Sequence, residues 1–190
     1  MTPVGQQEGI ADSRSPEGRF GDLQQNEAYR QALNKAYRLL SYRARTIDEM
    51  RQRLQRSGYE STVIAAVLER CCEQRYLDDA QFCQHFIQSQ LARKPAGPAW
   101  FRMALRKRGV AETIITTAVE EYFAALDVVS LAEQVAERSR NRLTGLPANK
   151  AYQRLTQSLL RRGFGWEIVK NVKYCTELAA RIEEESQYSS

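Results

Sequence analysis

The sequence is short of the residues from which metal and catalytic sites are usually built. Its 190 residues include a single histidine, His85, and four cysteines, none of them in a Cys-x-x-Cys pair. A structural zinc site needs four nitrogen or sulfur ligands at suitable spacing, and the pattern offers no such set. Long apolar runs are missing too. The longest aliphatic stretch, Val63 to Leu68, is far short of the ~20 residues that cross a bilayer, so no membrane contact is expected. Met1 to Gln25 has no basic segment followed by an apolar one, as a signal peptide would. The expected compartment is therefore the cytoplasm, with Cys71, Cys72, Cys83 and Cys175 as free thiols. No Lys or His cluster lies beside the vicinal Cys71 and Cys72 to activate them. Ten glycines and five prolines without a period exclude a collagen-like chain.

Catalytic patterns are equally scarce. The phosphate-binding pattern G-x-x-x-x-G-K-[ST] does not occur. Gly163-Phe164-Gly165 is too short for a dinucleotide loop and follows no strand pattern. Asp78 and Asp79 form a carboxylate pair, but helix capping accounts for them. His85 has no nucleophile or base near it in sequence. The chain is expected to be no enzyme and to need no cofactor or metal.

What is present is charge, aromatic content and helical periodicity. Lys and Arg number 28 against 23 Asp and Glu, a net charge of +5. Residues 1–25 carry −2, residues from Thr176 onward carry −3, and 26–175 therefore carry +10. The basic charge belongs to the folded body. Two Trp, nine Tyr and six Phe exclude a wholly disordered chain. Most of these aromatics share helix faces with Leu and Ile. Core packing is their assignment, with base stacking as the alternative. No segment alternates β-branched residues between hairpin turns. Nine helical segments are expected: 26–44, 47–57, 62–74, 79–94, 98–108, 112–123, 128–143, 149–162 and 167–185. Residues 1–25, punctuated by Pro and Gly, read as a flexible N-terminal tail.

Self-comparison exposes a repeat. Met50…Leu54…Gly58-Tyr59, Phe101…Leu105…Gly109-Val110 and Leu155…Leu159…Gly163-Phe164 stand in one register, each followed by an apolar helical stripe. A glycine just past a helix end takes the left-handed conformation that a Cβ disfavours. The residue after it then meets the leucine four before it, and both are apolar in all three copies. The structural turn residues are accordingly Leu54, Gly58, Leu105, Gly109, Leu159 and Gly163. A Gly109→Val change is expected to cost ~1–2 kcal/mol from the left-handed penalty. Thr46-Ile47-Asp48-Glu49 reads as a capping box, Asp78 as a second cap, and Gly97-Pro98 as a helix start with Pro in its first turn. Three three-helix modules follow: 26–74, 78–123 and 127–185. The expected fold is all-α, an elongated right-handed array of three tandem helix-turn-helix-like repeats.

These residues resemble the RecX family of regulators of the RecA recombinase. The likeness covers about residues 35 to 175. It rests on Thr46-x-x-Glu49 leading to Leu54 and Gly58-Tyr59, on Tyr76-Leu77-Asp78-Asp79-x-x-Phe82, on Gly97-x-x-x-Phe101-x-x-x-Leu105-x-x-x-Gly109-Val110, and on Leu160-Arg161-Arg162-Gly163-Phe164. The family usually has Ser where Thr46 stands, and Ser or Asp where Glu60, Ala111 and Gly165 stand. The resemblance implies a non-enzymatic regulator, mainly an inhibitor. It implies binding in the groove of the RecA–single-stranded DNA filament and control of its ATPase, strand exchange and coprotease activity in homologous recombination, DNA repair and the SOS response. The expected partners are the RecA nucleoprotein filament and, weakly and without sequence preference, single-stranded DNA. The chain is expected as a monomer.

The residues themselves add candidates for that contact. Two positions before each turn glycine stand Arg56, Lys107 and Arg161, away from the apolar stripe. Arg51, Arg102 and Arg106 occupy another flank, and Arg162 precedes the third glycine. Either these bases complement the helix dipole in a last turn, or successive modules present them to phosphates or to an acidic protein surface. Arg outnumbers Lys, and its planar fork suits both targets. Charge reversal at Arg102 and Arg106 is expected to weaken filament binding without unfolding the chain. The competing reading is a helical-repeat scaffold that binds a protein and no nucleic acid. A third, an autonomous duplex-binding protein, is disfavoured because no helix carries a base-reading set of Asn, Gln and Arg.

Overall fold

The computed structural model describes residues 26–187. The tail expected over 1–25 lies outside the described residues. Among those described, every regular element is a helix. They run α1 (Glu27–Tyr42), α2 (Ile47–Gln55), α3 (Ser61–Glu73), α4 (Asp79–Leu91), α5 (Pro98–Arg106), α6 (Glu112–Ala124), α7 (Val128–Leu143), α8 (Ala148–Arg161), α9 (Trp166–Val169) and α10 (Lys173–Gln187). The last expected helix, 167–185, is in fact two. At Asn171 and Val172 the backbone tightens to bonds three residues back, onto Ile168 and Val169, and Asn171 Nδ2 donates to the Glu167 carbonyl. The break lets Val169 and Val172 both bury fully, together with Cys175 and Leu178.

The chain divides into two compact units, 26–43 with 50–76, and 44–49 with 77–187. In the first, α1 packs on α3. Tyr29, Ala32 and Ala36 fall on one helical stripe and are buried, and the two alanines have no side chain long enough to hold the helices apart. Tyr37 Oη donates to Gln74 Oε1 at 2.6 Å, and the Tyr37 ring meets Tyr76 edge-on at 5.4 Å.

In the second unit α4 and α5 pack on α6, and α7 and α10 on α8. One apolar cluster centres on Ile87, Phe101, Leu105 and Ile115, the other on Leu155, Leu159, Phe164 and Leu178; Val128 and Leu131 pack against both. Side-chain caps begin α4 and α7: Asp78 accepts from Gln81 N–H at 2.9 Å and Asp127 from Ser130 N–H at 3.0 Å. Helices α3, α6 and α9 start at Glu60, Ala111 and Gly165 with no side-chain cap.

Each corner closes the same way. Gly58, Gly109 and Gly163 have φ of 83°, 74° and 82°. Tyr59 N–H donates to Leu54 O, Val110 N–H to Leu105 O, and Phe164 N–H to Leu159 O, six residues closing on the first. The glycine N–H bonds three residues back in every case. This is the Schellman geometry, which satisfies the orphan carbonyls of a helix end. Leu54, Leu105 and Leu159 are wholly buried beneath it.

The second and third corners also touch a preceding segment of their own unit. Thr46 Oγ1 donates to the Arg108 carbonyl at 2.7 Å while accepting Glu49 N–H at 3.0 Å. Gly97 N–H donates to the Arg162 carbonyl at 2.8 Å, and Ala99 N–H to that of Gly163 at 3.2 Å. Donor and acceptor hold matching positions in the two cases. Thr46 and Gly97 stand twelve residues before their own corner glycine; Arg108 and Arg162 stand one before theirs. The approach is tight enough that a Cβ on Gly109 would collide with Asp48, and one on Gly163 with the Trp100 backbone. The expected cost of Gly109→Val, drawn from backbone conformation alone, is therefore too low. Asp79 differs from its capping role in the sequence reading: it is buried and accepts Ile47 N–H at 2.9 Å, leaving the cap to Asp78.

Candidate nucleic-acid interface

Each corner exposes the residue two before its glycine, at the helix end, because leucine and glycine fix the opposite side inward. Arg56, Lys107 and Arg161 are all exposed there, and none of their side chains forms an ion pair or hydrogen bond with a described residue. Arg51 is exposed on α2. Arg51 and Arg56 belong to the first unit and the other five candidates to the second.

The remaining candidates are already engaged. Arg106 makes a two-pronged contact with Glu112, Nε to Oε2 at 2.9 Å and Nη2 to Oε1 at 2.6 Å. Those hydrogen bonds hold the Glu112 carboxyl below the usual carboxylate range and raise the guanidinium's own pKa. Arg102 is half-buried, 3.5 Å from Glu120. Arg162 is half-buried and points Nη1 at the Pro95 carbonyl, 3.5 Å away. Arg108 lies over the Phe86 ring, 4.4 Å from its centre, and donates to the Ala104 carbonyl. An anion would have to displace these partners, whereas the three corner cations are free to meet one.

A further signal in the sequence escaped the position-by-position reading. No Asp or Glu occurs from 80 to 111, where six Lys and Arg stand, nor from 138 to 166, where seven do. Counting acids along the chain finds both stretches. Each runs up to a corner: the first through Arg93, Lys94 and Lys107, the second through Arg138, Lys150, Arg154 and Arg161. The sequence reading also assigned most aromatics to the core. Tyr42, Tyr76 and Trp166 are instead 78%, 58% and 49% exposed.

Little else in the described residues suggests chemistry. No group of three His, Cys, Asp or Glu comes together there to hold a metal ion. Burial pushes the Cys71, Cys83 and Cys175 thiols up to about 11, away from nucleophilic use at neutral pH. His85 is exposed. The charged lining of the groove of about 530 Å³ between α7 and α10 is Glu133, Glu137 and Glu177 with Arg140 and Lys173, and Arg140 is already paired with Glu137 and Glu177. No described helix is long and apolar enough to cross a membrane.

Comparison with known proteins supplies the family. The models named RecX, first, second and third three-helix domain, match residues 32–71, 78–119 and 127–172 in that order. The chain belongs to the RecX family. Its fold is accordingly three tandem three-helix domains. The regulatory protein RecX of Staphylococcus saprophyticus is 33% identical over 153 residues, which are 79% of this chain and 54% of that protein. That of Pelodictyon phaeoclathratiforme is 34% identical over 140 residues, 74% of this chain and 85% of that one. The chain thus spans about half the length of the staphylococcal RecX and most of the other. The crystal structure of RecX from Lactobacillus salivarius superposes with a TM-score of 0.72 at 22% identity, covering 81% of this chain and 98% of that one. At that identity the likeness speaks for the fold.

Proposed function

We propose that this RecX-family chain is a non-enzymatic regulator that binds the groove of the RecA–single-stranded DNA filament and restrains its ATPase, strand exchange and coprotease activity, acting in the cytoplasm as a monomer during recombinational repair and the SOS response. The modules that do so are 26–74, 78–123 and 127–185. The observation that carries this reading is the repetition of an unpaired cation at one register position, Arg56, Lys107 and Arg161, beside two long stretches without an acid. A helical array that repeats a phosphate-sized contact at each corner suits a target that is itself a repeating polyanion. Arg51, Arg102, Arg106 and Arg162 take second rank, since three of the four are held by Glu120, Glu112 or the Pro95 carbonyl.

The test is DNA-stimulated ATP hydrolysis by RecA with and without the chain, at several salt concentrations. Inhibition that weakens with salt is expected. Three phosphate contacts give a log–log slope of about −2 for single-stranded DNA, and reversing Arg56, Lys107 and Arg161 together removes it. No effect on hydrolysis at saturating chain refutes the proposal. Binding to RecA that ignores both salt and these reversals favours the scaffold without nucleic-acid contact.

A further inference from the structure

Three residues before and three after each corner glycine stand Gln55 and Ser61, Arg106 and Glu112, and Leu160 and Trp166. In the second module these two positions touch across the corner, through the Arg106–Glu112 contact at 2.6 Å. In the third module the same positions hold an apolar pair that stays open to solvent, Leu160 44% and Trp166 49% exposed. Trp100 is different: its ring is half-buried, stacked on Phe86 at 6.3 Å and edge-on to Phe101 at 5.0 Å. An exposed tryptophan and an exposed leucine at the two positions flanking one corner are the composition of a contact surface rather than of ordinary solvent-facing helix.

The surrounding charge selects the occupant. Residues 138–166 hold seven bases and no acid. Arg161, next to Leu160, is exposed and pairs with no described residue. Glu167, which follows the ring, is neutralised by Lys170 at 2.5 Å. A flat apolar ring at the end of an acid-free basic stretch, five residues from an unpaired Arg161, fits an unpaired base with its phosphate. In a duplex the base faces are already covered by their neighbours; in a single strand they are available.

We propose that Trp166, supported by Leu160, stacks on a nucleobase of single-stranded DNA while Arg161 takes an adjacent phosphate. This deepens the reading above and rests on it, adding a base contact to phosphate contacts. Stacking on an aromatic face tolerates any base, so the contact carries no sequence preference.

The test uses the full chain with a labelled thymidine oligomer and an abasic oligomer of equal length, which keeps the phosphates and lacks the bases. Trp166→Ala is expected to weaken the thymidine oligomer about tenfold and to leave the abasic oligomer unchanged. Trp166→Phe keeps most of the affinity and guards against a folding defect. Arg161→Glu weakens both oligomers. Thymidine affinity unchanged in Trp166→Ala overturns the proposal while leaving the phosphate contacts standing, as does an equal loss on both oligomers. If neither oligomer binds the parent chain, this proposal and the single-stranded DNA contact beneath it fall together. Loss of filament binding with oligomer binding intact assigns the ring to a protein surface and also overturns it.

Discussion

Replacing the three corner glycines by alanine separates two physical roles that one sequence pattern conceals. All three adopt left-handed backbone, so each substitution carries the same conformational penalty, about 1–2 kcal/mol. At Gly58 no described atom lies within 4 Å of the added Cβ, and that penalty is the whole cost. At Gly109 the Cβ would meet Asp48, with Cγ at 2.5 Å. Asp48 sits in the first turn of α2, so its own Cβ cannot swing away; overpacking adds about 1–3 kcal/mol. At Gly163 the obstacle is main chain: the Trp100 nitrogen, with Cβ at 2.7 Å and Cα at 2.8 Å. Relief there pulls the corner off Gly97 and Ala99 and strains two backbone hydrogen bonds, each worth about 1 kcal/mol. The expected costs rise from about 1–2 at Gly58 to about 2–5 at Gly109 and, with overpacking and the two bonds together, to about 4–7 kcal/mol at Gly163. The last is a large share of a typical domain's stability. Amide hydrogen exchange at Tyr59, Val110 and Phe164, whose N–H groups close the corners, reads each site separately. Urea unfolding followed by circular dichroism gives the global figure. Equal losses at the three sites would refute the argument, because they would leave backbone conformation as the only glycine requirement.

Three other outcomes follow from the same geometry. Cys71, Cys83 and Cys175 are raised from 9.0 to about 11. Between those values the unfolded chain has released protons that the folded chain keeps, so stability is complete below pH 9 and falls as pH rises toward 11. Urea midpoints across that window check it, and at pH 8 a thiol reagent should label half-exposed Cys72 well before the other three. Asp79→Ala strands the Ile47 N–H and is expected to lower stability by about 1–3 kcal/mol, Asp79→Asn by less because an acceptor remains; thermal unfolding distinguishes them. Ala111→Ser supplies the missing cap of α6 and is expected to stabilise by about 0.5–2 kcal/mol, read as a higher urea midpoint.

The helical fold is legible because local rules and burial agree. The stripe of Leu54, Leu105 and Leu159, the caps at Thr46 and Asp78, and the proline opening α5 all act within one turn of where they stand. Breaks that depend on distant packing are not legible. The interruption at 170–172 reads as continuous helix until Val169 and Val172 are seen to be buried together. The second duty of the corner glycines is hidden for the same reason, since only tertiary structure brings Gly109 to Asp48 and Gly163 to Trp100. Asp79 looks like half of a capping pair, because nothing near it in sequence announces Ile47. For the interface, sequence register identifies Arg56, Lys107 and Arg161, but it ranks them equally with Arg102, Arg106 and Arg162. Only the structure shows Glu120, Glu112 and the Pro95 carbonyl occupying the latter three. Trp166 follows the same logic in reverse: its helical neighbours suggest core, and its exposure becomes visible only once Phe164 fills the interior.

The contact between successive modules has a direction, and the third module does not continue it. In the first two, the residue twelve before the corner glycine stands at the start of a helix. Its Thr46 hydroxyl or Gly97 N–H is free of helical bonding and takes the next corner's carbonyl. In the third, that residue is Ala151. Helix α8 begins three residues earlier, at Ala148, so Ala151 N–H is bonded to the Pro147 carbonyl at 3.0 Å and its side chain is 1% exposed. Position 151 therefore offers neither a free N–H nor a side-chain donor. The extra turn of 148–150 thus places this position inside a helix, where the other two modules have it at a helix start. The same turn carries Lys150, so the segment that withdraws the donor also adds to the acid-free basic stretch.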